Sequence, residues 1–140
     1  LNILTLLDHN KISKDQENMN PDIFSTSSGA FAFRGQRIPN KLVEENLAEH
    51  LSLWLPYIKK NGLLVIELHT LNPELTSQHL GETAATAYDA THGFSDQYIV
   101  EVDVFHKICN EVGLSVDQDL FKKYPDSDLA TVSINLLKAL

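Results

Sequence analysis

Four side chains of the types that bind divalent metal ions stand beside predicted strand ends or turns: Asp8, His69, His92 and Gln97. Mixed oxygen and nitrogen ligands suit a first-row ion such as iron or manganese. A structural zinc site would need a cysteine cluster, and the chain contains one cysteine. A metal ion bound here would act as a Lewis acid that holds a carboxylate or β-dicarbonyl substrate and stabilises its enolate. Histidines at strand ends also occur for purely structural reasons, so the spacing alone leaves both interpretations open.

Two further residues near the predicted strand ends could move a proton. His9 follows Asp8 and competes with it, and with His69, for a ligand position. Glu67 lies within an apolar run, where a buried carboxylate needs a partner or a raised pKa. It is therefore a candidate general base, a support for a metal ligand, or a strand-end carboxylate bonded to a backbone amide.

Alternating strands and helices are predicted to position these residues. The apolar runs 1–7 and 63–69 predict strands buried on both faces. Between them, residues 40–60 carry apolar side chains at spacings of three and four, which predicts a helix capped by Asn40 and stopped by Gly62. A strand–helix–strand unit implies parallel strands with a right-handed crossover, and ligands bind beyond the carboxyl ends of such strands.

The C-terminal third predicts a second helix followed by two strands. Asp103 is the predicted cap of the helix, and Gly113 ends it. A strand over 114–124 and a turn over 125–128 come next. In the last strand Val132, Ile134 and Leu136 alternate with polar residues, as expected for an antiparallel edge pair.

Two segments are predicted to connect elements of the sheet without forming part of it. Residues 11–38 include a polar stretch and a small hairpin turning near Gly35, and residues 71–96 form a long connection with a helix predicted over 73–88. Both are predicted lid or insertion segments. Arg34 and Arg37 on the hairpin are either a solvated pair or a contact for an acidic carrier domain or its phosphopantetheine arm.

Composition excludes several classes of partner. The formal net charge of −8 argues against non-specific binding to nucleic acid or to an anionic membrane surface. No apolar run approaches the ~20 residues of a membrane span. A single cysteine fits a reducing compartment, so we expect a cytoplasmic protein.

The order of elements resembles the C-terminal half of a class I S-adenosylmethionine-dependent methyltransferase, in which an antiparallel hairpin closes a seven-stranded sheet. Three stretches are more specific: L-L-D-H-N at 6–10, L-L-V-I-E-L-H-T at 63–70 and A-Y-D-A-T-H-G-F-S-D-Q-Y at 87–98. Together they resemble the apratoxin-type methyltransferase domains of polyketide synthase loading modules and of related stand-alone bacterial proteins. The predicted fold is therefore α/β, half of a Rossmann-like sheet with parallel strands and crossover helices, occupying residues 1–140 of a longer polypeptide.

The resemblance implies S-adenosylmethionine as methyl donor and a mononuclear iron or manganese bound by the four ligands named above. It further implies Asp8 and His9 beside the donor, His9 and Glu67 as catalytic residues, and C- or O-methylation of a small-molecule or carrier-bound acyl substrate. The chain departs from the family pattern because its six glycines include no G-x-G turn to cradle the donor.

Without that turn we expect the chain to be inactive alone, and three alternatives follow. It is the substrate half of a methyltransferase, a non-catalytic interaction module, or a metal-dependent hydrolase or decarboxylase. An open first strand also predicts pairing with a second copy, and hence a homo-oligomer.

Overall fold

The computed structural model describes residues 2–5 and 10–11, as backbone, and residues 25–140 in full. Within these ranges the elements are, in chain order, β1 Asn2–Thr5, β2 Asn10–Lys11, β3 Phe31–Phe33, β4 Gln36–Ile38, α1 Asn40–Asn61, β5 Leu63–Leu68, α2 Pro73–Gln78, α3 Ala85–Phe94, β6 Gln97–Tyr98, α4 Val102–Glu111, β7 Leu114–Val116, β8 Lys122–Tyr124 and β9 Val132–Ala139. The fold is mixed α/β, as predicted.

The main sheet has the order β1-β5-β9-β7, and β8 also pairs with β9. Strand β1 runs parallel to β5, with Thr5 opposite Ile66. The pairs that β9 makes with β5, β7 and β8 are all antiparallel. The described part of the sheet therefore contains one parallel pair, and the fully parallel arrangement expected for its first strands is not shown beyond that pair.

The last strand, β9, pairs antiparallel with β7 at the end of the sheet path, as the predicted antiparallel edge pair requires. Its buried side chains are Ser133, Asn135 and Leu137, whereas the apolar Val132, Ile134 and Leu136 are half-buried. The reason is tertiary: helices cover the face of the sheet that carries these three residues, so their burial follows from helix packing and not from their polarity.

The strand predicted over 114–124 is two short strands separated by a turn at Asp117. The amide of Asp117 still donates to the carbonyl of Leu136 at 2.9 Å, and Asp117 then accepts from the amide of Phe121 at 3.0 Å through its own carbonyl. This turn directs the chain away from β9 and back again, because β8 pairs with a different part of that strand from β7.

Helix α1 follows its predicted range, but the residue that caps its N-terminus differs from the prediction. Pro39 is the N-cap, and Asn40 instead donates from Nδ2 to the carbonyls of Ser27 at 2.9 Å and Gly29 at 2.7 Å. Gly62 ends the helix, as predicted, but with φ +69° and ψ 171° it adopts a conformation essentially restricted to glycine instead of the left-handed helical one.

Helix α4 and the long connection also differ from expectation in detail. Glu101 precedes α4 as its N-cap, and Asp103 lies in the first turn. The connection carries two short helices, α2 and α3, where one was predicted over 73–88, because the chain turns at Gly81 with φ +82° between them.

The core lies between the sheet and helices α1 and α4. Leu42, Leu51, Phe105 and Leu137 are among its fully buried members. Cys109 is buried in it, and desolvation raises the pKa of its thiol to about 12. It is therefore an inert core residue, as the helix pattern predicts.

Candidate functional site

A cavity of about 570 Å³ lies between the β3–β4 hairpin, helices α2 and α3, and the segment around β6. Its volume falls in the range of ~300–1,000 Å³ that small-molecule sites occupy. The cavity wall carries charged, imidazole, amide and hydroxyl side chains: Arg34, Thr70, Thr76, Ser77, Thr86, Asp89, His92 and Gln97. Both predicted lid segments thus contribute to one site.

His92 and Gln97, predicted together from one stretch of sequence, both line this cavity. His92 is in the last turn of α3, and its Nδ1 lies 2.7 Å from the carbonyl of Tyr88. Since a carbonyl only accepts, Nδ1 carries the proton, and the lone pair of the neutral ring lies on Nε2. That tautomer suits a metal ligand or a proton acceptor.

The turn after α3 brings Gln97 back to the same wall. Asp96 adopts a left-handed conformation with φ +58°, and its amide donates to the carbonyl of Gly93 at 3.2 Å. Ser95 then donates from Oγ to the side-chain oxygen of Gln97 at 3.2 Å. Hence the G-F-S-D spacing reverses the chain so that the histidine and the amide share one cavity.

Asp89 lies one turn before His92 on α3 and accepts a hydrogen bond from the Thr70 hydroxyl at 2.7 Å. Desolvation of its carboxyl group raises the pKa of Asp89, with a smaller contribution from the charge of Glu101, although the residue as a whole is exposed. This bond ties α3 to the segment that leaves β5, so the end of that strand forms the floor of the cavity.

The β3–β4 hairpin forms another wall and is anchored by Tyr98. The Tyr98 hydroxyl donates to the carbonyl of Ala32 at 2.9 Å, and its ring meets Phe31 edge-on with centroids 5.8 Å apart. Burial raises the pKa of the Tyr98 phenol, so it stays a hydrogen-bond donor at neutral pH.

Two buried carboxylates hold residues 25–28 beside the hairpin. One carboxylate oxygen of Glu44 accepts from the Ser25 hydroxyl at 2.6 Å and from the amides of residues 26 and 27 at 3.0 and 2.6 Å. Glu101 accepts from the amide of Ser28 at 2.9 Å and from its hydroxyl. We call residues 25–28 with these two glutamates the carboxylate clamp.

Sequence reasoning did not identify the carboxylate clamp. Glu44 precedes Leu47 by three residues, so it lies at the border of the apolar stripe of α1. This spacing was the one feature of the sequence that could have indicated its burial. Glu101 gave no signal, because its partners lie more than 70 residues away in the chain.

His69 is fully buried beneath the cavity and does not line it. Its Nδ1 lies 3.0 Å from the carbonyl of Val100 and its Nε2 lies 2.6 Å from the Ser133 hydroxyl. Burial lowers the pKa of His69 to about 4, so the ring is neutral and both nitrogens are engaged within the fold. The described geometry therefore favours a structural role for His69 over its predicted role as a ligand.

The ring of His69 begins a directional chain of hydrogen bonds across the buried face of β9. Nδ1 donates to Val100, so Nε2 accepts from Ser133, whose oxygen accepts from the Asn135 amide at 2.7 Å. His106 donates from Nε2 to Asn135 at 2.8 Å. Each polar group in this chain has a partner, which is what makes its burial tolerable.

Glu67, the predicted general base, is half-buried in β5 and does not line the cavity. One of its oxygens accepts from the amide of Leu68 at 3.2 Å. It borders a much smaller pocket with Leu47 and Phe105 under the helices. Residues Val65 and Glu67 share a strand face, and that face meets the helices rather than the cavity.

Asp8 and His9 lie outside the described residues, so their predicted contacts with metal and donor stay predictions. Within the described part of the chain, no three His, Cys, Asp or Glu side chains form a group that could hold a metal ion. His92 and Gln97 are the predicted ligands that the structure brings together.

Comparison with known proteins identifies one family. A family model described as "AprA MT2-like domain" matches residues 1–135. None of the curated proteins matches the chain. No helix between residues 25 and 140 is both long enough and apolar enough to cross a bilayer.

Proposed function

The chain belongs to the family of AprA MT2-like domains, a methyltransferase family, and from this premise we propose that it serves S-adenosylmethionine-dependent methyl transfer to an acyl or small-molecule substrate. The resemblance to apratoxin-type methyltransferases read from three short stretches of sequence is thereby confirmed. The observation that carries the proposal is that one of these stretches, residues 87–98, forms a wall of the cavity with His92 and Gln97 facing the same space.

In this proposal the cavity binds the substrate and its own residues orient it. The hydroxyl of Thr70 and the carboxyl of Asp89 form a fixed pair at the floor, and the hairpin covers the opposite side. Such a site accelerates transfer mainly by holding the accepting atom in line with the donor methyl group. In the absence of a metal ion at His92, its lone pair on Nε2 is the candidate to accept a proton from the substrate.

We further propose a mononuclear iron or manganese ion at this wall. His92 through Nε2 and Gln97 through its side-chain oxygen would hold it, with Asp8 as a third ligand. The hydrogen bond from His92 to Tyr88 supports this role, because metal-bound histidines usually donate their other ring nitrogen to a carbonyl or carboxylate. When bound, the ion supplies Lewis-acid stabilisation of an enolate or carboxylate.

In this proposal S-adenosylmethionine binds mainly to sequence outside residues 1–140. The glycines of this chain include no G-x-G turn, so the donor's methionine moiety lacks its usual backbone cradle here. The parallel β1–β5 pair and the antiparallel β9 support the interpretation as the C-terminal half of a methyltransferase sheet.

The test of methyl transfer uses a polypeptide that extends N-terminally through a glycine-rich turn. We expect calorimetry to detect S-adenosylmethionine binding by the longer polypeptide and not by residues 1–140 alone. Methyl transfer from radiolabelled donor to acyl-pantetheine substrates should require both halves. If the longer polypeptide binds no donor, methyl transfer is contradicted and the non-catalytic interaction module becomes the better account.

The metal proposal has a separate test. Purified longer protein should contain about one iron or manganese per chain, and His92→Ala and Gln97→Ala should each lower that content at least about tenfold. His79→Ala is the matched control, since His79 pairs with Glu82 at 2.7 Å outside the cavity. Equal metal content in all three variants would remove the assignment.

A further inference from the structure

Arg34 occupies the tip of the β3–β4 hairpin in a conformation that arginine seldom adopts. Phe33 pairs with Gln36, so the turn consists of Arg34 and Gly35, with φ +50° and +79°. Two-residue turns with both φ values positive favour Asn or Asp followed by Gly. An arginine at the first position is conformationally unfavourable, and backbone strain of this kind is commonly retained at functional sites.

The side chain of Arg34 is exposed, and its guanidinium group lies over an aromatic ring. Its guanidinium carbon lies 4.9 Å from the centroid of the Phe33 ring, within cation–π range. The hairpin beneath it is fixed by the bond from Tyr98 to Ala32. Arg34 therefore presents its donors from a supported position on the cavity wall.

The charge of Arg34 is not neutralised by any carboxylate in the described part of the chain. The described ion pairs involve lysines and one histidine, and none includes Arg34. In a chain of net charge −8, this cation and the hydroxyls of Thr70, Thr76 and Ser77 face the same cavity. These three hydroxyls donate within the fold, to Asp89, Asn72 and Glu74, so the guanidinium of Arg34 is the donor group that suits a carboxylate or phosphate.

We propose that Arg34 is a specificity-determining residue that binds an anionic group of the substrate at the rim of the cavity. The anion is a carboxylate of the substrate itself or the phosphate of a phosphopantetheine arm that carries it. This inference deepens the proposed function, because it rests on the cavity being the substrate site. It does not depend on the metal ion or on the donor.

Direct binding to residues 1–140 tests it with two pairs of probes, each differing in the anion. The first pair is propionyl-4′-phosphopantetheine and propionyl-pantetheine, and the second is malonate and dimethyl malonate. Calorimetry at low ionic strength should show at least one anionic probe binding about tenfold more tightly than its neutral partner. The pair that shows the preference identifies the source of the anion.

Arg34→Asn removes the guanidinium while suiting the left-handed turn, so the variant should fold at least as well as the parent. In this variant the affinity for each anionic probe should lie within about twofold of the affinity for its neutral partner. Arg37→Gln is the matched control, because Arg37 is exposed on the same hairpin but does not line the cavity. It should keep the parent's preference.

A preference that survives Arg34→Asn, or that Arg37→Gln abolishes equally, would overturn the proposal, as would equal binding of both members of both pairs. These measurements need neither the methyl donor nor turnover. They therefore distinguish a failure of the Arg34 proposal from a failure of the proposed methyl transfer. Anion binding without methyl transfer in the longer polypeptide would contradict the proposed function alone.

Discussion

Glu44 and Glu101 hold the Ser-Thr-Ser-Ser stretch at residues 25–28 against the two core helices. Each carboxylate takes several donors from that stretch, and both residues are buried. Hydrogen bonds to an ionised acceptor in such surroundings are stronger than neutral ones. The carboxylate clamp therefore fixes where the chain enters the hairpin that forms one wall of the cavity.

Glu101→Gln should destabilise the protein, because the amide replaces a charged acceptor and brings in donors that the clamp cannot satisfy. We expect the free energy of unfolding to fall by about 1–3 kcal/mol in chemical denaturation. Glu111→Gln at the last residue of α4 is the control, since Glu111 is exposed and pairs with Lys107 at 3.4 Å. Its effect should stay below about 0.5 kcal/mol, and equal effects would contradict the clamp.

His69 makes stability depend on pH between its unfolded and folded pKa values. Burial lowers the pKa from 6.5 to about 4, so within this window the unfolded chain binds more protons and unfolding is favoured as pH falls. The contribution of His69 to the free energy of unfolding is fully present above pH 6.5. It decreases by about 3 kcal/mol in total as the pH falls towards 4.

His69→Asn removes this titration. Urea unfolding from pH 7 to 4 should show a smaller decline for the variant than for the parent, even though the variant is less stable at pH 7 because the bonds to Val100 and Ser133 are altered. Parallel declines in the two proteins would show that His69 does not titrate in this way.

At the scale of elements, turns with positive φ determine how helices and strands follow one another. Gly62 joins α1 to β5, and Gly113 joins α4 to β7, with φ +69° and +88°. The two sites differ in their surroundings. A Cβ at Gly62 would lie 3.1 Å from the backbone oxygen of Leu137, whereas a Cβ at Gly113 would meet nothing within 4 Å.

Gly62→Ala should therefore cost more stability than Gly113→Ala. Left-handed φ costs an alanine about 1–2 kcal/mol. At Gly62 the ψ of 171° and the close approach to β9 should both add to that cost. Thermal or urea denaturation of both variants measures the difference. Equal losses would mean that β9 moves away from the new methyl group at little cost.

At the scale of the whole molecule, the interior position of β9 makes the sheet the most strongly connected part of the described chain. Strand β9 pairs with β5 on one side and with β7 and β8 on the other. Helices α2 and α3, which form the cavity, are short and include one fully buried residue, Ala85. Stability should accordingly be unevenly distributed.

Native-state hydrogen exchange should follow that distribution. We expect the slowest exchange for amides of β5 and β9, near the global free energy of unfolding, and exchange at least about a hundredfold faster in residues 73–96. Substrate binding should slow exchange in residues 73–96 more than in the sheet. Uniform protection across both regions would contradict a locally mobile cavity wall.

Local patterns in the sequence were enough for several of the elements and for part of the candidate site. The apolar stripe of α1, the run in β5 and the hairpin turn at Gly35 each depend on neighbouring residues, so their periodicity and turn chemistry could be read directly. His92 and Gln97 were found together for the same reason, since a short turn joins them.

Only the tertiary structure decided which polar residues serve the cavity and which serve the core. Glu67 lies near the end of β5 and His69 follows the strand, yet their side chains face the helices, because the helices pack on that face of the sheet. Helix packing on β9 likewise buries the polar side chains of Ser133 and Asn135. Burial is set by what packs on each face, and those partners lie too far along the chain for local periodicity to report them.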